Sequence, residues 1–141
     1  MRSTRNAVAV WVGVIAAIGI VLATPRVWAN YWSPQTFATE RTLQLRTKCR
    51  DEGERWLRER FVVIDGQMYV RLSSRTAARV QCNAVRPLLG VEVAGQRFEH
   101  VRGVPVPLLA ERVGKAMAGK YITDVFVRLF SHPLTLLLIP E

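Results

Sequence analysis

The sequence predicts a mainly β domain of the α+β class. Six antiparallel strands and two short helices would wrap into a small closed or split barrel, behind one N-terminal transmembrane helix. Three observations carry this. Asp65-Gly66 and Ala94-Gly95 each sit between apolar runs of strand length, and glycine in such a pair supplies the positive φ that a two-residue hairpin turn needs. Leu109, Val113, Ala116, Met117 and Tyr121 recur at helical spacing after Pro107, giving one apolar helix face behind a residue that suits a first helical turn. Ala7 to Ala23 contains no charged residue, and a bilayer span takes about 20 apolar residues.

The front end fits two physical objects. Arg2 and Arg5 precede an uncharged run of 17 residues, which Thr24 can extend before Pro25. Trp28, Tyr31 and Trp32 follow, where amphipathic rings favour the headgroup layer. Residues 1–32 therefore read as an anchor that meets the lipid bilayer through residues 7–24, with the remainder on the extracytoplasmic side. The alternative is a secretory signal peptide cut after Ala29, because Val27-Trp28-Ala29 offers small or modest residues at the cleavage positions. Residues 33–39, opening with SPQTFA, read as a short linker. Residues 40–141 form the domain.

Charge and cysteine narrow the partners. The chain carries +9, and Arg2, Arg5 and Arg26 precede residue 33, where there is no acid. The domain thus holds 17 basic against 11 acidic residues, a balance that favours anionic partners such as lipid headgroups or a phosphorylated cofactor. No platform of interleaved aromatic and basic residues is evident, so nucleic acid is not expected. Cys49 and Cys82 form no CxxC pair and have no histidine at metal spacing, which argues against zinc. They read as two buried thiols, with a single disulfide as the alternative in an exported domain.

The elements follow in order. Thr39 to Lys48 places Leu43 and Leu45 on one side and Thr42, Gln44 and Arg46 on the other, the period of a half-buried strand. Cys49 to Arg60 is charged and reads as a long hairpin connection or one irregular helical turn. Trp56 and Leu57 are its only large apolar residues, placed to fold over the barrel mouth or towards the membrane. Phe61 to Ile64 and Met68 to Leu72 are strands joined at Asp65-Gly66. Thr76 to Asn83 is a short helix capped by Ser73 or Ser74. Leu88 to Val93 and Arg97 to Val106 form a second hairpin. Leu108 to Tyr121 is the second helix, Asp124 to Phe130 a further short helical stretch, and Leu134 to Ile139 the last strand. Closure of such a sheet removes edges that invite aggregation.

The run Met68-Tyr69-Val70-Arg71-Leu72-Ser73-Ser74-Arg75-Thr76-Ala77, continuing through Asn83 into Leu88 to Val93, resembles the third strand, phosphate corner and short helix of the pyridoxamine 5′-phosphate oxidase-like split barrels. The likeness covers roughly residues 40–141. It implies a split barrel binding FMN, with relatives that use a deazaflavin or haem and others with no known ligand. It also implies a homodimer with the flavin across the subunit interface. By position, Ser73, Ser74 and Arg75 would grip phosphate at a helix start, with Arg71 nearby and Tyr69 on the same strand. Free backbone N–H groups and a forked guanidinium give that corner its physical basis. Arg46 and Lys48 on the first strand would line the isoalloxazine or the phosphate. Thr76 stands where oxidases of the family often carry lysine.

Simpler readings accompany each of these. Ser73-Ser74-Arg75 also serves as a helix cap with a solvated arginine. His100 lies on an alternating strand, and His132 before Pro133 reads as structural. Asp51, Glu52 and Glu54 read as a solvated loop cluster rather than paired acid and base. Two functions follow: a flavin- or deazaflavin-dependent oxidoreductase, or a non-catalytic binding or scaffold domain that has lost the cofactor.

Overall fold

Seven strands, not six, form one antiparallel sheet in the computed structural model, which describes residues 31–124, 127 and 131–141. They are β1 (Leu43–Cys49), β2 (Gly53–Glu59), β3 (Phe61–Ile64), β4 (Gln67–Leu72), β5 (Leu88–Val93), β6 (Gln96–Pro105) and β7 (Leu134–Pro140). The helices are α1 (Ser74–Cys82) and α2 (Ala110–Lys120). Both hairpin turns have the expected backbone: φ is 51° at Asp65 and 75° at Gly66, then 51° at Ala94 and 73° at Gly95. Two consecutive positive φ values match the right-handed twist of the strands they join.

The extra strand is β2, in the charged run Cys49 to Arg60 where the sequence predicts a long hairpin connection or one irregular helical turn. Gly53, at φ 70°, turns the chain back, and β2 then pairs along the whole of β1 from Leu43↔Glu59 to Cys49↔Gly53. Its charged residues belong there because β2 is an edge strand with both faces largely exposed. Charge on an edge blocks pairing with another chain. The run therefore lacks the apolar alternation that marks a half-buried strand.

Strand order is β2-β1-β5-β6-β7-β4-β3. The two edges, β2 and β3, are separated in sequence by Arg60 alone. One residue cannot cross a flat seven-stranded sheet, so the sheet must curl until its edges approach. The result is a half-barrel with a split at that corner.

The curl gives two cores. Inside lie Leu43, Leu45, Phe61, Met68, Val70, Leu72, Leu89, Val91, Val101, Leu136 and Leu138, with Ala77 of α1 closing one end. Outside, α2 covers the opposite face of β3 and β4, and Val62, Tyr69, Val113, Met117, Tyr121 and Val127 form a second cluster. The period of two on β4 divides these roles: Met68, Val70 and Leu72 point inward, and Tyr69 and Arg71 point towards α2.

Helix α1 is held firmly at its C-terminal half. Arg79, 5% exposed, donates to Thr47 Oγ1, Glu52 Oε2 and the Gly53 carbonyl. Asn83 accepts from the Lys48 N–H and donates to the Leu88 carbonyl. Cys49 and Cys82 form a disulfide with a Cα–Cα distance of 5.3 Å, which corrects the expectation of two free thiols. Their proximity comes from β1 and α1 meeting beside the Cys49–Asn83 bridge, a contact that no local pattern announces.

Within the stretch read as linker, Pro34–Phe37 forms a 3-10 turn and buries Phe37 in the inner core. Trp32, expected at the headgroup layer, packs edge-on against Phe98 with ring centroids 4.9 Å apart. The expected anchor over residues 7–24 and Trp28 lie outside the described residues, as does most of the helical stretch expected at Asp124 to Phe130. Among the described residues no helix is long and apolar enough to cross a membrane.

Candidate functional site

The split corner opens into a cleft of about 490 Å³ lined by Arg58, Glu59, Arg60, Arg71, Ser73, Thr76, Met117, Val127 and His132. That volume lies within the range of small-molecule sites. Four parts of the chain bring polar side chains to it, and Met117 of α2 and Val127 add apolar ones. The end of β2 delivers Arg58 and Glu59, the end of β4 delivers Arg71, the start of α1 delivers Ser73 and Thr76, and His132 precedes β7.

Arg71 is the unusual group. Its Nε is buried and has no hydrogen-bond partner among the described residues. The guanidinium passes so close beneath α2 that a Cβ added at Gly114 would lie 2.9 Å from Nη1. A glycine in a helix interior costs about 1 kcal/mol relative to alanine. Here it leaves room for the arginine. A buried donor without a partner costs free energy, and a positively charged one is best satisfied by an anion.

The hydroxyls are engaged within the protein. Ser73 is the N-cap of α1, its Oγ accepting from the Thr76 N–H at 3.3 Å. The Thr76 hydroxyl donates to Glu59 Oε1 at 2.6 Å. Burial raises the pKa of Glu59 above the usual carboxylate value, while the Thr76 hydrogen bond and the Arg60 charge pull it back down. Arg60 itself pairs with Asp124. The cleft thus holds several cations and one carboxyl group that retains its proton more readily than usual.

The other expected site residues are dispersed. Tyr69 is buried beneath α2, and its hydroxyl donates to Gln67. Ser74 and Arg75 are exposed on α1, and Arg75 borders a different surface depression with Glu52 and Arg55. Arg46 and Lys48 line a second cleft of about 330 Å³ with Asn83, Glu99 and His100. There Arg46 is ion-paired to Glu99 and stacked over Trp56. Trp56 thus sits on the outer sheet face between Arg46 and Arg97, at 5.5 and 4.8 Å, rather than over the barrel mouth. Of the eight expected residues, Arg71, Ser73 and Thr76 come together in the split cleft.

Arg58, Glu59, Arg60 and His132 were not expected there. The available signal was the charged triplet Arg58-Glu59-Arg60 directly before the apolar run Phe61 to Ile64. It points to a site only once β2 and β3 are known to be the two sheet edges.

Comparison with known proteins supports the fold. The chain matches no family model and no curated protein. Among solved structures it is similar to a conserved hypothetical protein from Mycobacterium tuberculosis, with 17% identity and a TM-score of 0.58 over 84% of this chain and 86% of that one. It is also similar to a solved domain-swapped dimer, with 11% identity and a TM-score of 0.53 over 93% of this chain and 98% of that one. These likenesses identify the architecture: a curled antiparallel half-barrel with helices, compatible with a split barrel.

Proposed function

We propose that the chain is a split-barrel protein of the pyridoxamine 5′-phosphate oxidase-like type that binds a phosphorylated, flavin-type cofactor, FMN or a deazaflavin, at the split corner. The observation that carries this is Arg71, whose buried Nε lacks a partner among the described residues in a cleft that also contains Ser73 and two further arginines. The residues fit a phosphate: Arg71 would hold it, with Ser73 and the first turn of α1 beside it. Arg46 and Lys48 lie in the other cleft, so this reading rests on the phosphate end of the ligand. A bound flavin would supply hydride or electron transfer. The protein's own part would be to bind, orient and exclude water.

A homodimer belongs to the same reading. The split cleft is open on one side, and a structural neighbour is a domain-swapped dimer. Light scattering during gel filtration would test it, and a monomer at micromolar concentration would count against it. We further propose a single-pass membrane protein with the domain in an extracytoplasmic, oxidising compartment. The Cys49–Cys82 disulfide supports that placement, since such bonds persist outside the cytosol. Free thiols in protein alkylated in its native compartment would argue against it.

The deciding experiment is a visible spectrum of the purified protein with and without added FMN, deazaflavin and haem. A yellow protein, or quenching of FMN fluorescence at micromolar protein, supports the proposal. Arg71→Met should weaken binding by about 1.5–3 kcal/mol, the worth of a charge-assisted hydrogen bond. Arg75→Ala should leave it unchanged, because that side chain borders a separate depression. A second reading, a non-catalytic binding or scaffold domain, is favoured by one observation: the Ser73 and Thr76 hydroxyls already have partners within the chain. Absence of binding by all three cofactors would establish that reading against the first.

A further inference from the structure

Glu59 is the single acid among the described residues that line the split cleft. Its position is specific. The Thr76 hydroxyl, in the first turn of α1, donates to Glu59 Oε1 at 2.6 Å. The charged and polar groups that line the cleft with Glu59 come from every side: Arg58 and Arg60 flank it in sequence, Arg71 comes from β4, Ser73 and Thr76 from α1, and His132 from the segment before β7. Met117 of α2 and Val127 supply the apolar wall. A carboxylate among these cations repels a fully ionised oxyanion of the same charge sign. The same carboxylate accepts a hydrogen bond from an oxyanion that still carries a proton, and such O–H···O⁻ bonds are among the stronger ones.

We propose that the cleft takes up its phosphate together with one proton, held between the Glu59 carboxyl and a ligand oxygen. Glu59 thereby selects oxyanions that bring a proton over those that have none. This rests on the anion-binding reading of the cleft given above. The proton has one place at a time. A ligand that arrives with a proton donates to the carboxylate, and a ligand without one binds only after Glu59 has taken a proton from solvent. Burial of Glu59, which favours its neutral form, makes the second route easier as pH falls.

Inorganic phosphate and sulfate separate these routes, because phosphate keeps a proton near neutral pH and sulfate has none. The test is titration calorimetry of the full-length chain in mild detergent, in two buffers of different ionisation heat, at pH about 8 and about 5. At the higher pH both anions are dianions that an ionised Glu59 opposes, and phosphate should bind at least about tenfold more tightly than sulfate, since phosphate alone offsets the repulsion by donating a hydrogen bond to the carboxylate. Sulfate binding should take up about one proton and phosphate binding none, and the preference should shrink at the lower pH. Glu59→Gln keeps an acceptor for Thr76 but removes the charge. In that variant the preference should fall to within about twofold, with the proton uptake lost. If Glu59→Gln compromises folding, the anion preference and proton count of the unaltered protein still decide.

Equal affinity for the two anions in the unaltered protein overturns the proposal, as does a preference that survives in Glu59→Gln. Binding of phosphate and FMN without anion preference overturns this inference alone. Selective phosphate binding without any flavin binding supports it and overturns the flavin reading. No binding of either anion by either protein overturns both.

Discussion

Tyr121 closes the corner from behind, and Tyr121→Phe removes one oxygen from it. The ring is 2% exposed. Its hydroxyl accepts the Phe61 N–H at 3.1 Å and lies 2.6 Å from the Arg41 carbonyl and 2.7 Å from the Phe61 carbonyl. Phenylalanine keeps the packing and leaves three backbone groups to be accounted for. The Phe61 carbonyl retains Lys120 Nζ at 3.0 Å. Arg41 is exposed, so water can reach its carbonyl. The Phe61 N–H is left buried, on a residue with 0% exposure, at the edge of β3 where no strand offers an acceptor. One buried unsatisfied donor costs about 1–3 kcal/mol. A loss near 2 kcal/mol should lower the melting temperature by about 10 °C for a domain of this size. Urea unfolding of a fragment beginning at Tyr31, followed by tryptophan fluorescence, measures the loss directly. A change below about 0.5 kcal/mol would refute the argument, because it would mean that water reaches the Phe61 N–H.

Three further outcomes are expected. Replacing both Cys49 and Cys82 with serine should cost about 3–4 kcal/mol, the loop-entropy value for a separation of 33 residues; a loss under about 1 kcal/mol in urea unfolding would show that Arg79 and Asn83 hold α1 unaided. Gly114→Ala should raise helix stability by up to about 1 kcal/mol yet weaken anion binding, because the new Cβ displaces the flexible end of Arg71; unchanged phosphate affinity would remove Arg71 from the site. Burial, and secondarily Arg41, lower the pKa of Lys120 to about 8. Between about pH 8 and 10 the unfolded chain therefore binds more protons than the folded one, and stability should rise with pH. It should be lost again as pH falls through 8. Tyr121, whose pKa is raised by burial, opposes this only above about pH 10. Lys120→Met should flatten the rise, and an equal slope in both proteins would assign it elsewhere.

What could be read in the sequence was what short range determines. Asp65-Gly66 and Ala94-Gly95 specify their hairpins within four residues, and Leu43 and Leu45 alternate because β1 has one face in the core. The Ser73 cap was visible because capping is a three-residue relation. β2 was missed because an edge strand buries neither face and so carries no alternation. The sequence leaves two buried thiols and a disulfide both open, because only the docking of α1 on β1 brings residues 33 apart together. Arg46 and Lys48, although on an expected strand, went to the sheet's outer face with Glu99 and Trp56. Strand identity is local; the cleft that an outward residue joins depends on the curl of the whole sheet.

The same distinction explains why the site was half visible. Arg71, Ser73 and Thr76 lie within six residues and were grouped from the sequence. Glu59 and Arg60 reach them only because the chain steps from one sheet edge to the other across a single residue. That step does two things at once. It forces the sheet to curl, and it carries a charged triplet into the gap that the curl leaves. The split and the cleft are therefore one structural event. A substitution that flattens the curl would separate Glu59 from Thr76 and open the cleft around Arg71 without touching either group.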